Sequence, residues 1–294
     1  MKNIFIICFL YVSAVAWSCD ICGCSLMGNY TGSLPMLYNH YAGVRYSMQS
    51  FDSHLLMHTA MHSKEHINTA EVLLKWNIKN KVQVHAVVPF AYNIQTQQET
   101  IYESKGISDL KFWANYILFD SKIDTGSKIK HIAVIGGGMK LPTGSFDAKS
   151  NINPNLRTGS GSYDILINAL YSIRSYKIIQ SISANYKYNN SNDAGFRFGN
   201  MAWIGYNLQY LFNKYKYSVM PGAVCSYEIL MPNKKYGYRV EYTGGTGLLA
   251  GAGIDIIYKQ LTINATIQIP VYQSYNDNNT TVGHKASVSV AYLY

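Results

Sequence analysis

The sequence predicts an all-β fold, closed into a transmembrane, antiparallel up-and-down β-barrel of about 12 strands with long extracellular loops and short periplasmic turns. Three observations predict it. Apolar and polar residues alternate with a period of two from residue 40 to the end of the chain, which is the patterning of strands with two unlike faces. Beyond the N-terminus no run of about 18 apolar residues could cross a bilayer as a helix. The chain carries 26 Tyr against 10 Phe and 4 Trp, and a ring with an apolar body and a polar tip suits a membrane interface. Nearly half of its 294 residues are apolar, which excludes disorder.

Residues 1–18 read as a secretory signal, with Lys2 as the basic start, Ile4 to Val15 as the apolar stretch and Ala16-Trp17-Ser18 before the cut. The mature chain then begins near Cys19, with residues 19–38 a cysteine-containing segment and 39–294 the barrel. Acylation of Cys19 is the competing reading, against which Ala16-Trp17-Ser18 match a lipoprotein signal poorly.

Strand patterning falls into twelve segments: 39–51, 66–78, 81–93, 106–119, 128–142, 160–174, 176–190, 195–213, 214–229, 236–258, 259–273 and 283–294. The penultimate one shows the rule, with Leu261, Ile263, Ala265, Ile267, Ile269 and Val271 alternating with Gln260, Thr262, Asn264, Thr266, Gln268 and Pro270. Connections alternate in length: 52–65, 94–105, 143–159 and 274–282 read as loops, whereas 79–80, Ser175 and Lys259 read as tight turns. Ala286, Val288, Val290, Tyr292 and Tyr294 share one face, and an aromatic end of this kind resembles the signal read by the outer-membrane barrel assembly machinery. The expected location is therefore the outer membrane of a Gram-negative bacterium, with its lipid as partner. A soluble sandwich or lipocalin-like barrel would show the same alternation with the faces reversed.

Three glycine-centred motifs, Gly106-Ile-Ser-Asp109-Leu110, Gly138-Met-Lys140-Leu-Pro142-Thr143-Gly144 and Gly159-Ser-Gly161-Ser162-Tyr-Asp164, carry a family likeness. In order and spacing they resemble the outer-membrane transporter family named for the meta pathway of phenol degradation. Cys19-Asp-Ile-Cys22-Gly-Cys24, Gly43-Val-Arg45-Tyr46 and Ser50-Phe51-Asp52-Ser53-His54 look like a Bacteroidetes-type branch. The resemblance implies a barrel and a transport role, and it brings no catalytic residues. Read on their own, Pro142-Thr143-Gly144 suits a strand end, and Gly136-Gly137-Gly138 either curves the wall or opens lumen space. No Gly-Lys-Ser/Thr follows, so this is not a phosphate loop.

If the apolar face meets lipid, parity turns Arg45, Glu71, Lys75, Gln83, His85, Asp109, Lys111, Asp164, Asn168, Arg174, Lys187, Arg197, Asn207, Gln209 and Glu228 into the lumen. Both signs of charge are present, and twelve strands enclose more room than the eight that side chains fill. The expected function is an outer-membrane channel or transporter for small solutes, hydrophobic or aromatic compounds among them. The alternative is a metal-binding surface protein on a barrel scaffold. His54, His58, His62 and His66 recur every four residues and on a helix would share one face, where imidazoles ligate zinc or copper. Cys19, Cys22 and Cys24 could wrap a soft ion such as Cu(I). No cofactor is required; a transition metal is the one candidate. Net charge is +9, but Lys and Arg are scattered without a basic stripe, so nucleic acid is not an expected partner. The chain has no Gly-x-Ser-x-Gly or His-Glu-x-x-His motif, and no enzyme is expected.

Overall fold

Strands with one oily and one polar face leave no backbone group unpaired in a bilayer only when the first strand finds the last. That closure is present in a computed structural model, which describes residues 40–57, 59–79, 81–97, 99–121, 129–147 and 152–294. The signal segment 1–18, the segment 19–38 with Cys19, Cys22 and Cys24, and His58 lie outside the described residues.

In chain order the strands are β1 (Tyr41–Met57), β2 (Thr59–Ile78), β3 (Val82–Gln97), β4 (Thr100–Ile107), β5 (Lys111–Asp120), β6 (Ile129–Lys140), β7 (Asp164–Ser175), β8 (Ile178–Tyr188) and β9 (Phe196–Arg197). They continue with β10 (Met201–Tyr210), β11 (Phe212–Lys214), β12 (Tyr217–Leu230), β13 (Lys234–Lys235), β14 (Tyr238–Arg239), β15 (Gly245–Tyr258), β16 (Leu261–Tyr275) and β17 (Thr280–Leu293). Twelve of them, β1, β2, β3, β5, β6, β7, β8, β10, β12, β15, β16 and β17, form one closed antiparallel wall, sealed where β1 pairs with β17. β4 lengthens the wall beside the outer half of β3, and β9, β13 and β14 make a small separate sheet in the loops.

Burial decides which face points where. Val44, Ile267 and Ile269 are more than half exposed, whereas Glu71 and Lys75 on alternate positions are about 2% and 1% exposed. A water-soluble barrel would show the reverse. The exposed aliphatic belt is bordered by Trp76, Tyr258, Tyr292 and Tyr294 toward the short turns and by Tyr92, Tyr163, Tyr188 and Tyr272 toward the loops. Such paired girdles mark the two interfaces of an outer-membrane-type barrel.

Several boundaries differ from the patterning. Segments 52–65 and 94–105, expected as loops, are the outer parts of paired strands: β1 and β2 stay in register to Met57 opposite Thr59, and β3 and β4 to Gln97 opposite Thr100. Apolar residues there, such as the run Leu55-Leu56-Met57, do not alternate with polar ones, so a period-two count misses these segments. The expected strand 195–213 begins only at Met201, and 236–258 only at Gly245; the residues before each belong to the loop sheet.

Candidate functional site

Inside the wall, side chains are layered. Toward the short turns Tyr41, Leu73, Val87, Ala291 and Leu293 form an apolar layer with Trp113 against it. The middle is charged. Arg45 lies opposite Glu71 across β1 and β2, and its Nε donates to Glu71 Oε2 at 2.6 Å. Lys111 Nζ stands 3.7 Å from the other oxygen of the same carboxylate. Lys140 Nζ lies 3.0 Å from Asp109 Oδ2 and 2.5 Å from Asp164 Oδ2, and it also donates to Ser160 Oγ. Lys111 and Lys140 are direct cross-strand partners, and two like charges in that position repel unless carboxylates stand between them. On the far wall Asp255 accepts from Gln209 Nε2 at 2.7 Å and Asn264 Nδ2 at 2.5 Å, and Glu228 accepts from the Tyr275 hydroxyl at 2.5 Å.

Above the charged layer the chain between β6 and β7 dips into the barrel. The short turn Pro154–Leu156 delivers Leu156 to the axis, where it is 1% exposed and packs with Phe51, Ile67, Met201, Trp203, Leu230, Tyr275 and Val282 from strands around the wall. Backbone polar groups placed there need partners. Asn93 Nδ2 donates to Leu156 O at 2.8 Å, Gln95 Oε1 accepts from Asn153 N at 3.2 Å, and Asn153 Nδ2 donates to Glu65 Oε1 at 3.4 Å.

What turns the segment inward is a latch at its base. The wall is interrupted between β4 and β5 by Ser108-Asp109-Leu110. Asp109 there accepts from Gly144 N at 3.0 Å, Ser160 N at 2.9 Å and Ser160 Oγ at 2.7 Å. Thr143 Oγ1 accepts from Leu110 N at 2.9 Å and donates to Ser108 O at 3.0 Å, while Ser162 Oγ donates to Asp164 Oδ1 at 2.9 Å. Gly144 and Gly159 touch backbone to backbone: a Cβ on Gly159 would lie 2.3 Å from Gly144 C. Between the inserted segment and the wall remains a cavity of about 70 Å³, lined in part by Asn93, Lys111, Lys140, Leu166, Lys187 and Phe198.

The family described as "Putative MetA-pathway of phenol degradation" matches residues 60–290. The chain belongs to this family. Among solved structures the barrel is similar to the COG4313 outer membrane channel from Pseudomonas putida F1, at 11% identity and a TM-score of 0.65, over 87% of this chain and 96% of that one. It is also similar to the β domain of the Bordetella autotransporter BrkA, at 10% identity and a TM-score of 0.50, over 87% of this chain and all of the other. No curated protein matches the chain. At these identities the structural likenesses speak for the fold, an outer-membrane β-barrel. The three glycine-centred motifs that carry the phenol-degradation family likeness are the segments that build the latch.

The residues singled out by parity separate into groups. Arg45, Glu71, Lys75, Gln83, His85, Asp109, Lys111, Asp164, Lys187, Asn207, Gln209 and Glu228 are buried. Asn168 reaches across Gly136 to Asn115, with Nδ2 to Oδ1 at 2.9 Å, and Asn115 Nδ2 lies 3.2 Å from His85 Nε2. The space a Cβ on Gly136 would take is thus filled by its neighbours' amides. Arg174 bonds Tyr176 O at the short-turn end of β7. Arg197 is on β9 in the loop sheet, bonding Asn189 O at 2.8 Å and packing on the Tyr188 ring, and so does not stand on a barrel strand.

The histidine helix is corrected to a strand pair. His54 is directly opposite His62 in the β1–β2 extension, their rings stacked at 4.4 Å, and Asp52 Oδ1 lies 3.1 Å from His54 Nε2 and 2.7 Å from His62 Nε2. His66 lies opposite Ser50, outside this cluster of three possible ligands. Directly opposed residues of paired strands share a face and even spacings keep it, so His54 on β1 and His62 and His66 on β2 fall on the same outward face.

Lys140, Lys285, Asp255 and Leu156 were missed as interior residues. The first three obey the parity of their strands and were readable from it. Leu156 belongs to no strand, and nothing in Pro154-Asn-Leu156 distinguishes an inserted turn from an exposed one.

Proposed function

We propose that this barrel is an outer-membrane channel for small solutes, in which the segment 152–160 sets the bore. The observation that carries the reading is the inserted turn. A passive wall would need no loop held at its axis by Asn93, Gln95 and Glu65, whereas a channel gains selectivity from a constriction inside its mouth. The channel role given to the Pseudomonas barrel supports the same reading. The collar of Phe51, Ile67, Trp203 and Tyr275 around Leu156 suits solutes with an apolar or aromatic body. Current through a planar bilayer tests it: discrete steps are expected from the whole protein, and larger steps after Pro154, Asn155 and Leu156 are replaced by glycines. A folded barrel that passes no current in either form overturns the reading.

The Asp52–His54–His62 cluster favours a second activity outside the lumen. One carboxylate and two imidazoles offer ligand atoms within 4.8 Å of one another, a donor set suited to zinc or copper. Calorimetric titration of the detergent-folded barrel with either ion should show one site that His54→Ala or His62→Ala removes and that acid abolishes, because a protonated imidazole is no ligand. Binding that persists in both variants but is lost when Cys19, Cys22 and Cys24 become Ser would move the site to the N-terminal segment.

A further inference from the structure

In the cavity behind the inserted turn, Lys187 lies outside ion-pair distance of every carboxylate among the described residues. The cavity's lining includes the cations Lys111, Lys140, Arg157 and Lys187 and the single carboxylate Asp109. Glu71 and Asp164, just outside the lining, serve Lys111 and Lys140, and Glu71 is shared with Arg45. Lys187 is 9% exposed, and its side chain makes no hydrogen bond or ion pair with any described residue. An ammonium group withdrawn from water without a counter-charge is costly. The cost is relieved if an anion enters the space it faces.

The rest of the lining suggests what kind. Ile67, Ala91, Pro154, Leu166 and Phe198 give the cavity an apolar flank, with Leu166 directly beside Lys187 across β7 and β8. At roughly 15 Å³ per water, its volume of about 70 Å³ holds a handful of waters or one carboxylate group. Pro154, Asn155 and Arg157 belong to the lining, so the cavity adjoins the inserted turn.

We propose that this cavity is a binding site for the carboxylate of a small organic acid, with Lys187 as its counter-ion and the apolar flank against the acid's hydrocarbon body. The inference deepens the channel reading by naming a solute class, and it rests on that reading for its part in transport.

The test is calorimetric binding of acetate and benzoate to the full-length, detergent-folded barrel. Saturable binding is expected, tighter for benzoate because of the apolar flank. Lys187→Gln should weaken it at least tenfold, and Lys187→Arg should retain it within a few fold. Leu166→Trp, which fills the cavity from the strand beside Lys187 and leaves every charge in place, should abolish it and keeps the test open should Lys187→Gln fail to fold. No binding by the folded wild type, or binding unmoved by Lys187→Gln and Leu166→Trp, overturns the proposal. Bilayer recordings separate its fate from that of the channel: a barrel that conducts but binds neither acid keeps the channel and loses the site, and one that binds benzoate but passes no current keeps the site and loses the channel.

Discussion

Lys140 sits between Asp109 and Asp164 with all three side chains buried, so removing the cation leaves two carboxylates facing each other out of water. Lys140→Met is expected to cost about 3–5 kcal/mol, the usual penalty for breaking a buried ion pair from one side. Urea unfolding followed by tryptophan fluorescence measures it, and adding Asp109→Asn and Asp164→Asn should recover most of the loss. A mild effect of the single change would mean that water reaches the cluster. Much of this chemistry is legible in the sequence. Asp164 alternates with apolar neighbours on β7, and alternation alone turns it inward, whereas Asp109 lies in the break between β4 and β5, where Ser108 beside it is buried as well. Their partner Lys140 sits buried at the end of β6, after the glycine run Gly136-Gly137-Gly138. Pairing itself is not legible, because it depends on a register that brings residues 109, 140 and 164 to one level.

Each strand presents a face to lipid and a face to the lumen, and neighbouring residues on one strand test that division. Ile267 is more than half exposed on the belt of β16, and Thr266 beside it bonds Ser287 on the other face at 2.8 Å. Ile267→Arg should destabilise the barrel by about 2–4 kcal/mol if the position is near the bilayer midplane, and Thr266→Arg by far less. Equal losses, measured by unfolding from lipid vesicles, would reverse the faces. The twelve barrel strands follow from periodicity because each is long and amphipathic. The outer parts of β1 and β2 do not, since Asp52, His54 and His62 are mixed there with the run Leu55-Leu56-Met57 and the period-two pattern is broken. The inserted turn is illegible for a different reason: its conformation is imposed by Asp109 and Ser160, which belong to other motifs.

The molecule as a whole is a ring of strands whose seam is β1 against β17, from Tyr41 opposite Leu293 to Ser53 opposite Thr280. Strand pairing that runs around the whole ring predicts a barrel that resists detergent at room temperature and changes gel mobility only on heating; recovery of the protein as a soluble monomer would contradict the architecture. The seam has a kinetic consequence. Its partners are separated by almost the whole sequence, so the contact that finishes the fold is also the most non-local one, and the entropy of bringing the ends together must be met before the last ladder forms. Closure therefore waits on the arrival of the final strand, and a chain lacking β17 is expected to expose the free edges of β1 and β16 together, each able to recruit strands from another chain.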